Sequence, residues 1–185
     1  MFHAASNGRT ESAQNFSGAQ IAYLTTVSTP EEYTETQTFT IAQFNEQLKA
    51  AYSLAQIAQA QITRNDTNRV ERITIGQKTW TGREFRELLR LKSTDFIINV
   101  NSEIEIQTKG YGHGVGMSQY GANELASNGR TAQEILAHYL KSPKCVNAST
   151  RGDKLCERTN KILLRKCGST SLGFGQLSMQ SLQLL

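Results

Sequence analysis

The sequence predicts an α+β fold, in which antiparallel strands and hairpins combine with several short helices in a single domain. Two kinds of pattern support this class. Some segments repeat apolar residues with the period of a helix, and others alternate apolar and polar residues as strands do. A chain of 185 residues with 38% hydrophobic and 19% charged residues has the composition of an ordinary globular protein.

The first forty residues show little helical periodicity and are predicted to be mostly extended. Residues 2–8 form a short strand that ends in a turn, and residues 10–15 form a polar loop. Residues 21–27 have the β-branched and aromatic content of a second strand, which Pro30 closes. Because the first strand begins next to the charged terminus, we expect the domain to be truncated at its N-terminus.

Three segments begin with a capping box, in which a Thr and a Glu or Gln three residues later bond each other's backbone. The pairs are Thr40 with Gln43, Thr81 with Glu84, and Thr131 with Glu134. Apolar residues at helical spacing follow each pair, so three helices are predicted, the first over residues 41–51. In the second helix, Phe85, Leu88 and Leu89 are expected to be buried.

Strands are predicted between these helices. Residues 56–64 are assigned to a strand, although their Ala and Gln favour helix locally. The assignment depends on a turn at residues 65–68 and the β-rich residues 70–75, which together complete a hairpin. Further strands are predicted over residues 78–80, 96–100 and 103–108.

Residues 109–122 carry the most unusual pattern in the chain. Glycine occupies every second position from Gly110 to Gly116, and a chain accepts that cost where its backbone bends or approaches a ligand. The run follows a predicted strand and precedes a Ser that can cap a helix, an arrangement common at ligand sites. The candidate binding residues are His113, Gly114, Ser118, Gln119 and Tyr120. The alternative is a tight connection in which the single His makes only a structural hydrogen bond.

Charge and cysteine content separate a tail, residues 142–185, from the rest of the chain. Residues 1–141 hold 13 Lys and Arg against 14 Asp and Glu, whereas the tail holds 7 against 2. No basic stripe with interleaved aromatic residues occurs before the tail, which argues against nucleic-acid binding. All three cysteines also lie in the tail, which is predicted to be poorly ordered: Cys145, Cys156 and Cys167.

Neither a metal nor a cofactor is predicted. Residues 1–141 contain no cysteine, and the three histidines stand in unrelated sequence contexts, which does not match the ligand spacing of a zinc site. These histidines are His3, His113 and His138.

Residues 110–122, Gly-Tyr-Gly-His-Gly-Val-Gly-Met-Ser-Gln-Tyr-Gly-Ala, resemble the signature of the stage II sporulation protein D family, also called the SpoIID/LytB or amidase-enhancer family. Residues 2–8, 23–30 and 81–88 resemble its other landmarks, in the same order. The likeness covers residues 1–141, which are interpreted as part of a SpoIID-like domain. The best-studied members are peptidoglycan lytic transglycosylases, so the resemblance implies action on the glycan strands of the cell wall.

The resemblance also implies a catalytic residue that this sequence does not contain. In the family the acid is the Glu of a Glu-Met-Pro element, which we expect upstream of Met1. Glu11 is the carboxylate to nominate near the site, and the alternative is that it is a solvated loop residue. Some members bind zinc through His and Cys beside the position of His3, and without Cys that ligand set is incomplete here.

Two further candidate residues come from the other landmarks. Ser6, with His3, is expected near the glycine run if the first strand joins the same sheet. Arg83 belongs to the landmark at residues 81–88, and the alternative for it is a surface ion pair.

Three functional classes follow from these observations. The chain is an enzyme of glycan cleavage without its acid, a noncatalytic wall-binding or amidase-enhancer module, or an inactive gene fragment. Members of the family are membrane-anchored and face the cell wall at the sporulation septum. The partners that the resemblance implies are peptidoglycan glycan strands and stage II sporulation proteins P and M.

Overall fold

The structure, a computed structural model, describes residues 1–141. The strands in this part of the chain are β1 Phe2–His3, β2 Asn7–Arg9, β3 Ser28–Glu32, β4 Thr34–Phe39, β5 Gln61–Arg64, β6 Val70–Ile75, β7 Lys78–Thr81, β8 Asp95–Val100, β9 Ile104–Lys109 and β10 Met117–Ser118. The helices are α1 Ala13–Ser17, α2 Ile41–Leu48, α3 Leu54–Ala58, α4 Gly82–Leu88, α5 Gln119–Ser127 and α6 Ala132–Tyr139.

Most strands pair in antiparallel fashion. β4, β9 and β8 form one three-stranded sheet, and β5, β6 and β7 form another. β2 pairs antiparallel with β3, while β1 runs parallel to β10. The predicted α+β class and the hairpins β5–β6 and β8–β9 are therefore confirmed.

The larger core contains residues of both three-stranded sheets and of helices α2, α3 and α4. Its centre is aromatic: the rings of Phe85 and Phe96 stack with centroids 5.3 Å apart, and Phe44 meets Phe85 edge-on at 6.2 Å. All three side chains are fully buried. Such pairs add to the free energy gained by burying apolar area, so this cluster fixes α4 against the sheets.

Two smaller clusters lie near the chain start and the glycine run. In one, Val115 packs with Ala13 and Leu24, and in the other, Val27 packs with Ile135 and Tyr139. These contacts join the first thirty residues to the segment that follows β9.

All three predicted capping boxes are present, at the starts of α2, α4 and α6. A fourth box, in which Ser53 pairs with Gln56, begins α3. The strand predicted over residues 56–64 is therefore wrong in its first half, because this cap and the fully buried Ile57 favour a helical turn. The strand begins only at Gln61.

The first forty residues differ most from the prediction. Residues 21–27 form no strand, and the strand that follows, β3, contains Pro30 rather than ending before it. Proline fits there because a two-stranded sheet leaves one edge of each strand without a strand neighbour. Residues 10–15 are not a loop throughout, since Ser12 caps α1. β4 was not predicted, because its Thr, Glu and Gln residues show no apolar alternation.

No helix within residues 1–141 has the length and apolar content needed to cross a bilayer. The predicted tail and its three cysteines lie outside the described residues. Its order therefore stays a prediction.

We expect Phe85→Ala to lower the free energy of unfolding by about 3–5 kcal/mol, because it opens a cavity in the aromatic centre of the larger core. The matched control is Leu88→Ala on the same helix. Leu88 was expected to be buried but is 38% exposed, so its truncation should change stability by less than about 1 kcal/mol. Chemical denaturation measures both values, and equal losses would contradict the observed orientation of α4.

Candidate functional site

The glycine loop, residues 110–116, passes so close to other parts of the chain that side chains would not fit. A β-carbon at Gly114 would collide with the guanidinium of Arg69, and one at Gly116 would collide with the backbone carbonyl of Met1. Both glycines also have positive φ, at 81° and 78°, a region that other residues rarely adopt. The glycine pattern is therefore explained by close packing as well as by turning.

The start of the chain packs directly on this loop, as expected for Ser6 and His3. In the parallel β1–β10 pair, His3 lies opposite Ser118. Ala5 and Tyr111 exchange backbone hydrogen bonds of 3.0 and 2.7 Å, and the Glu11 amide donates to the Gly114 carbonyl at 2.7 Å. The first landmark of the sequence, residues 2–8, thus packs against the glycine loop.

His3 and Ser6 form a buried pair. His3 Nδ1 donates to the Val115 carbonyl at 3.3 Å, so its Nε2 accepts from the Ser6 hydroxyl at 2.5 Å. Burial lowers the pKa of His3 to about 4, and the nearby His113 and Arg69 act in the same direction against the bond to Val115. Ser6 is fully buried and its hydroxyl bonds His3 within the fold, so its substrate contact stays a prediction.

A cleft of about 490 Å³ opens beside the loop, and His113 and Arg83 both line it. Four arginines and two glutamates contribute to its walls. They are Arg69, Arg72, Arg83, Arg86, Glu11 and Glu71. The cleft therefore carries an excess of positive charge, although residues 1–141 as a whole do not.

Phe16 connects the two predicted cleft residues. The Arg83 guanidinium lies over the Phe16 ring at 4.2 Å, and the His113 ring lies 5.5 Å from the same ring. Among the side chains that the structure describes, no carboxylate comes within ion-pair distance of Arg83, so the surface ion pair considered for it is not formed with any of them. Arg83 stands free in the cleft apart from its contact with Phe16.

His113 is held by the loop itself. Its Nδ1 accepts from the Val115 amide at 3.0 Å. Burial lowers the pKa of His113, as does the charge of Arg86, whereas a hydrogen bond to the Phe2 backbone raises it. The imidazole is therefore neutral and fixed in orientation. Its ring forms part of the cleft wall, where a ligand can contact it.

Glu11 is buried and is not the solvated loop residue considered above. Its carboxylate accepts four hydrogen bonds of 2.8–2.9 Å, from the Ser12 amide, Asn15, Asn65 and Thr67. It also faces Arg69, whose Nε lies 4.0 Å away, beyond hydrogen-bond range. Because all four partners donate, the carboxylate is tied into the fold as an acceptor.

The predicted residues at the start of α5 do not line the cleft. Ser118 is buried and caps the helix by accepting from the Gly121 amide at 3.2 Å. The Tyr120 amide donates to the Ala4 carbonyl at 3.0 Å. The amides of Tyr120 and Gly121 therefore have intramolecular partners. Gln119 is half-buried, and the Tyr120 side chain is 46% exposed.

Tyr120 belongs to a group of neighbouring tyrosines, here called the tyrosine cluster: Tyr33, Tyr111 and Tyr120. The Tyr33 ring lies 6.0 Å from that of Tyr111 and 6.5 Å from that of Tyr120, the latter pair stacked. Lys92 Nζ lies 4.8 Å from the Tyr111 ring, which is 40% exposed. The sequence did not indicate Tyr33, Tyr111, Phe16 or Arg86, because separate segments bring them together.

Within residues 1–141, no three His, Cys, Asp or Glu side chains are grouped as metal ligands would be. The rings of His3 and His113 lie 5.9 Å apart, but both nitrogens of His3 already have protein partners.

We expect Gly114→Ala to destabilise the protein by roughly 3 kcal/mol, because it adds backbone strain and displaces the buried Arg69 guanidinium. Gly129→Ala is the matched control. Gly129 has a φ of 82°, close to that of Gly114, but a β-carbon there would meet nothing within 4 Å. The control should therefore lose only the strain energy, about 1–2 kcal/mol. Equal losses in thermal or chemical unfolding would show that the contact with Arg69 is unimportant.

The free energy of unfolding should depend on the protonation of His3. The pKa of this residue is about 4 in the folded protein and 6.5 as a reference, so the unfolded chain binds the proton more readily. The contribution of neutral His3 to the free energy of unfolding is therefore fully present above about pH 6.5. It is lost as the pH falls towards 4, by roughly 2 kcal/mol between pH 7 and pH 5. His3→Gln should flatten this slope in denaturant titrations. Parallel curves for the parent and the variant would contradict the prediction.

No protein-family model matches the chain. It is similar to proteins named stage II sporulation protein D from Bacillus amyloliquefaciens, with 40% identity over 147 residues, and from Bacillus subtilis, with 36% over 153 residues. These matches cover 76% and 80% of this chain but 42% and 45% of the two relatives, so the chain spans less than half of their length. An uncharacterized protein of Brachyspira hyodysenteriae is 33% identical over 156 residues, which cover 79% of this chain and 42% of that protein. At this identity over about four fifths of its length, the chain belongs to the stage II sporulation protein D family.

Proposed function

We propose that this chain binds the glycan strands of peptidoglycan during sporulation, through the cleft and the tyrosine cluster. The observation that carries the proposal is that the glycine loop contributes to both surfaces, since His113 lines the cleft and Tyr111 belongs to the cluster. The resemblance to peptidoglycan lytic transglycosylases supplies the ligand class. It also supports a location at the septum, with stage II sporulation proteins P and M as partners.

The tyrosine cluster is suited to a sugar chain. A pyranose ring has apolar faces edged with hydroxyl groups, and a tyrosine offers a flat apolar ring with a polar tip. Tyr111 and Tyr120 are 40% and 46% exposed, so both present ring surface to solvent. Stacking a sugar on these rings removes apolar area from water.

The cleft residues do not by themselves account for glycan cleavage. A lytic transglycosylase protonates the glycosidic oxygen with one carboxylic acid, and the 6-hydroxyl of the sugar then closes an anhydro ring. The carboxylates that line the cleft are Glu11 and Glu71. Glu11 is committed to four donors, and Glu71 is exposed on β6, without the partial burial that favours the protonated acid. We therefore propose glycan binding without cleavage by these residues.

A noncatalytic wall-binding or amidase-enhancer module is the second candidate, and it uses the same surface. Such a module binds the glycan and leaves it intact, whereas a transglycosylase also cleaves it. An inactive chain would neither bind nor cleave the glycan. Binding and product analysis together separate these three outcomes.

The test measures binding of the protein to purified glycan strands from peptidoglycan. We expect Tyr111→Ala and Tyr120→Ala each to weaken binding about fivefold, because each loses roughly 1 kcal/mol of stacking. Tyr23→Ala is the matched control, since Tyr23 is 43% exposed but lies outside the cluster. Its affinity should equal that of the parent protein.

Two results would contradict the proposal. Unchanged binding by both cluster variants, with unchanged melting temperatures, would exclude the tyrosine surface. Anhydro-sugar products released by the parent protein alone would show that it cleaves. Glu71→Gln and Glu11→Gln would then identify which carboxylate is responsible.

A further inference from the structure

We propose that Arg83 and Arg86 form an anion subsite in the cleft and bind a carboxylate carried by the muramic acid units of the glycan. This inference rests on the proposed function and adds to it the chemical group that these two residues recognise.

The two guanidinium groups stand on one face of α4, three residues apart, and both line the cleft. Neither has a carboxylate within 4.0 Å among the described residues. Arg83 is supported from one side by the Phe16 ring at 4.2 Å. Arg86 Nε donates to the Leu91 carbonyl at 3.1 Å, which orients the guanidinium, and within the described part of the chain its two terminal nitrogens have no hydrogen-bond partner. Contacts with the protein thus hold the pair in place.

This arrangement is unfavourable for the helix alone. Like charges three residues apart on a helix repel each other, and Arg83 also stands in the first turn, where the helix dipole disfavours a cation. Burial lowers the pKa of the half-buried Arg86, the charge of Glu87 opposes that shift, and the charge of the nearby Arg83 lowers the pKa further. A bound anion would relieve the repulsion and balance the partly desolvated charge. Departures from local preference of this kind are typical of functional sites.

The acidic groups nearby do not supply that anion. Glu84, on the same helix, accepts from the Thr81 amide and hydroxyl and so serves as the cap of α4. Glu87 is adjacent to Arg86 and interacts with it electrostatically, but it forms no ion pair with it within 4.0 Å. Glu11 is occupied by its four donors and by Arg69.

A carboxylate is the anion that the proposed ligand carries. Every second sugar of the glycan is a muramic acid, whose lactyl group ends in a carboxylate or is joined by an amide bond to a stem peptide with carboxylates of its own. Guanidinium groups bind carboxylates through paired, charge-assisted hydrogen bonds. An oligomer of N-acetylglucosamine has the same sugar backbone and no carboxylate, so it is the matched uncharged ligand.

The experiment compares the affinity of the protein for three oligosaccharides of equal length: muramyl oligomers with free lactyl groups, the same oligomers bearing stem peptides, and N-acetylglucosamine oligomers. We expect at least one carboxylate ligand to bind about tenfold more tightly than the uncharged one. Added salt should reduce this preference in the parent protein, because the attraction is electrostatic. Which muramyl ligand is preferred identifies the source of the carboxylate, and either result supports the subsite.

Arg83→Gln and Arg86→Gln should each reduce the preference several-fold, measured as the ratio of the affinity for the carboxylate ligand to that for the uncharged oligomer. The control is Arg130→Gln, since Arg130 pairs with Glu134 on the exposed surface of α6 and lies outside the cleft. If Arg86→Gln lowers the melting temperature, Arg86→Lys serves as the test instead, because lysine keeps the positive charge. Lysine should retain part of the preference.

The outcomes separate this inference from the function on which it rests. Equal affinity of the parent protein for charged and uncharged oligomers would overturn the subsite but leave glycan binding intact. No binding of any oligomer would remove the proposed function. A preference that survives in both Gln variants would assign the carboxylate to another cation and overturn the inference. Tighter binding of inorganic phosphate than of any carboxylate would do the same.

Discussion

The arrangement of the candidate site depends on the close contact between the glycine loop and the start of the chain. At Gly114 and Gly116 the backbone lies where a side chain would meet the Arg69 guanidinium or the Met1 carbonyl. This approach allows β1 to pair with β10 and the Glu11 amide to reach the Gly114 carbonyl. His113 and Tyr111 take their positions from it, because both side chains project from the loop itself. The glycines are thus a requirement of packing, and the proposed glycan contacts of His113 and Tyr111 depend on where that packing places these two side chains.

Glu11 and Arg69 are buried, charged residues that line the cleft beside the glycine loop. The Arg69 side chain is 4% exposed and donates through Nη2 to the Arg9 carbonyl at 3.2 Å, while its Nε and Nη1 have no hydrogen-bond partner within the described structure. Burial lowers the pKa of Arg69, and the charges of Glu11 and Asp95 oppose that shift. Burying such a pair costs desolvation energy, so we interpret it as a device that fixes the loop and not as a source of net stability.

The elements that the sequence predicted are those with local signals. Thr40, Thr81 and Thr131 each cap a helix through a partner three residues away, and this pattern is complete within one turn. Ser53 gives the same signal before α3, but the hairpin pattern that follows masked it. β4 has no apolar alternation and is a strand because β9 pairs with it along its whole length.

The residues of the candidate site likewise divide into those with local sequence signals and those without. The glycine loop, His113 and Arg83 could be found from short motifs. The burial of Glu11 could not, since two of its donors, Asn65 and Thr67, are 54 and 56 positions away in sequence. The tyrosine cluster and the contact of Phe16 with Arg83 likewise join segments that only the fold brings together.

The two proposed contacts with glycan use different physics on different residues. Stacking on Tyr111 and Tyr120 depends on apolar area and is insensitive to salt, whereas pairing with Arg83 and Arg86 is electrostatic and falls with ionic strength. The glycine loop joins the two surfaces, because His113 lines the cleft and Tyr111 belongs to the tyrosine cluster. A glycan strand that lies across both surfaces would stack its sugar rings on the tyrosines. The carboxylates of its muramic acid units would pair with the arginines. If both proposals hold, affinity for the glycan and selectivity for muramic acid rest on different side chains and respond differently to ionic strength.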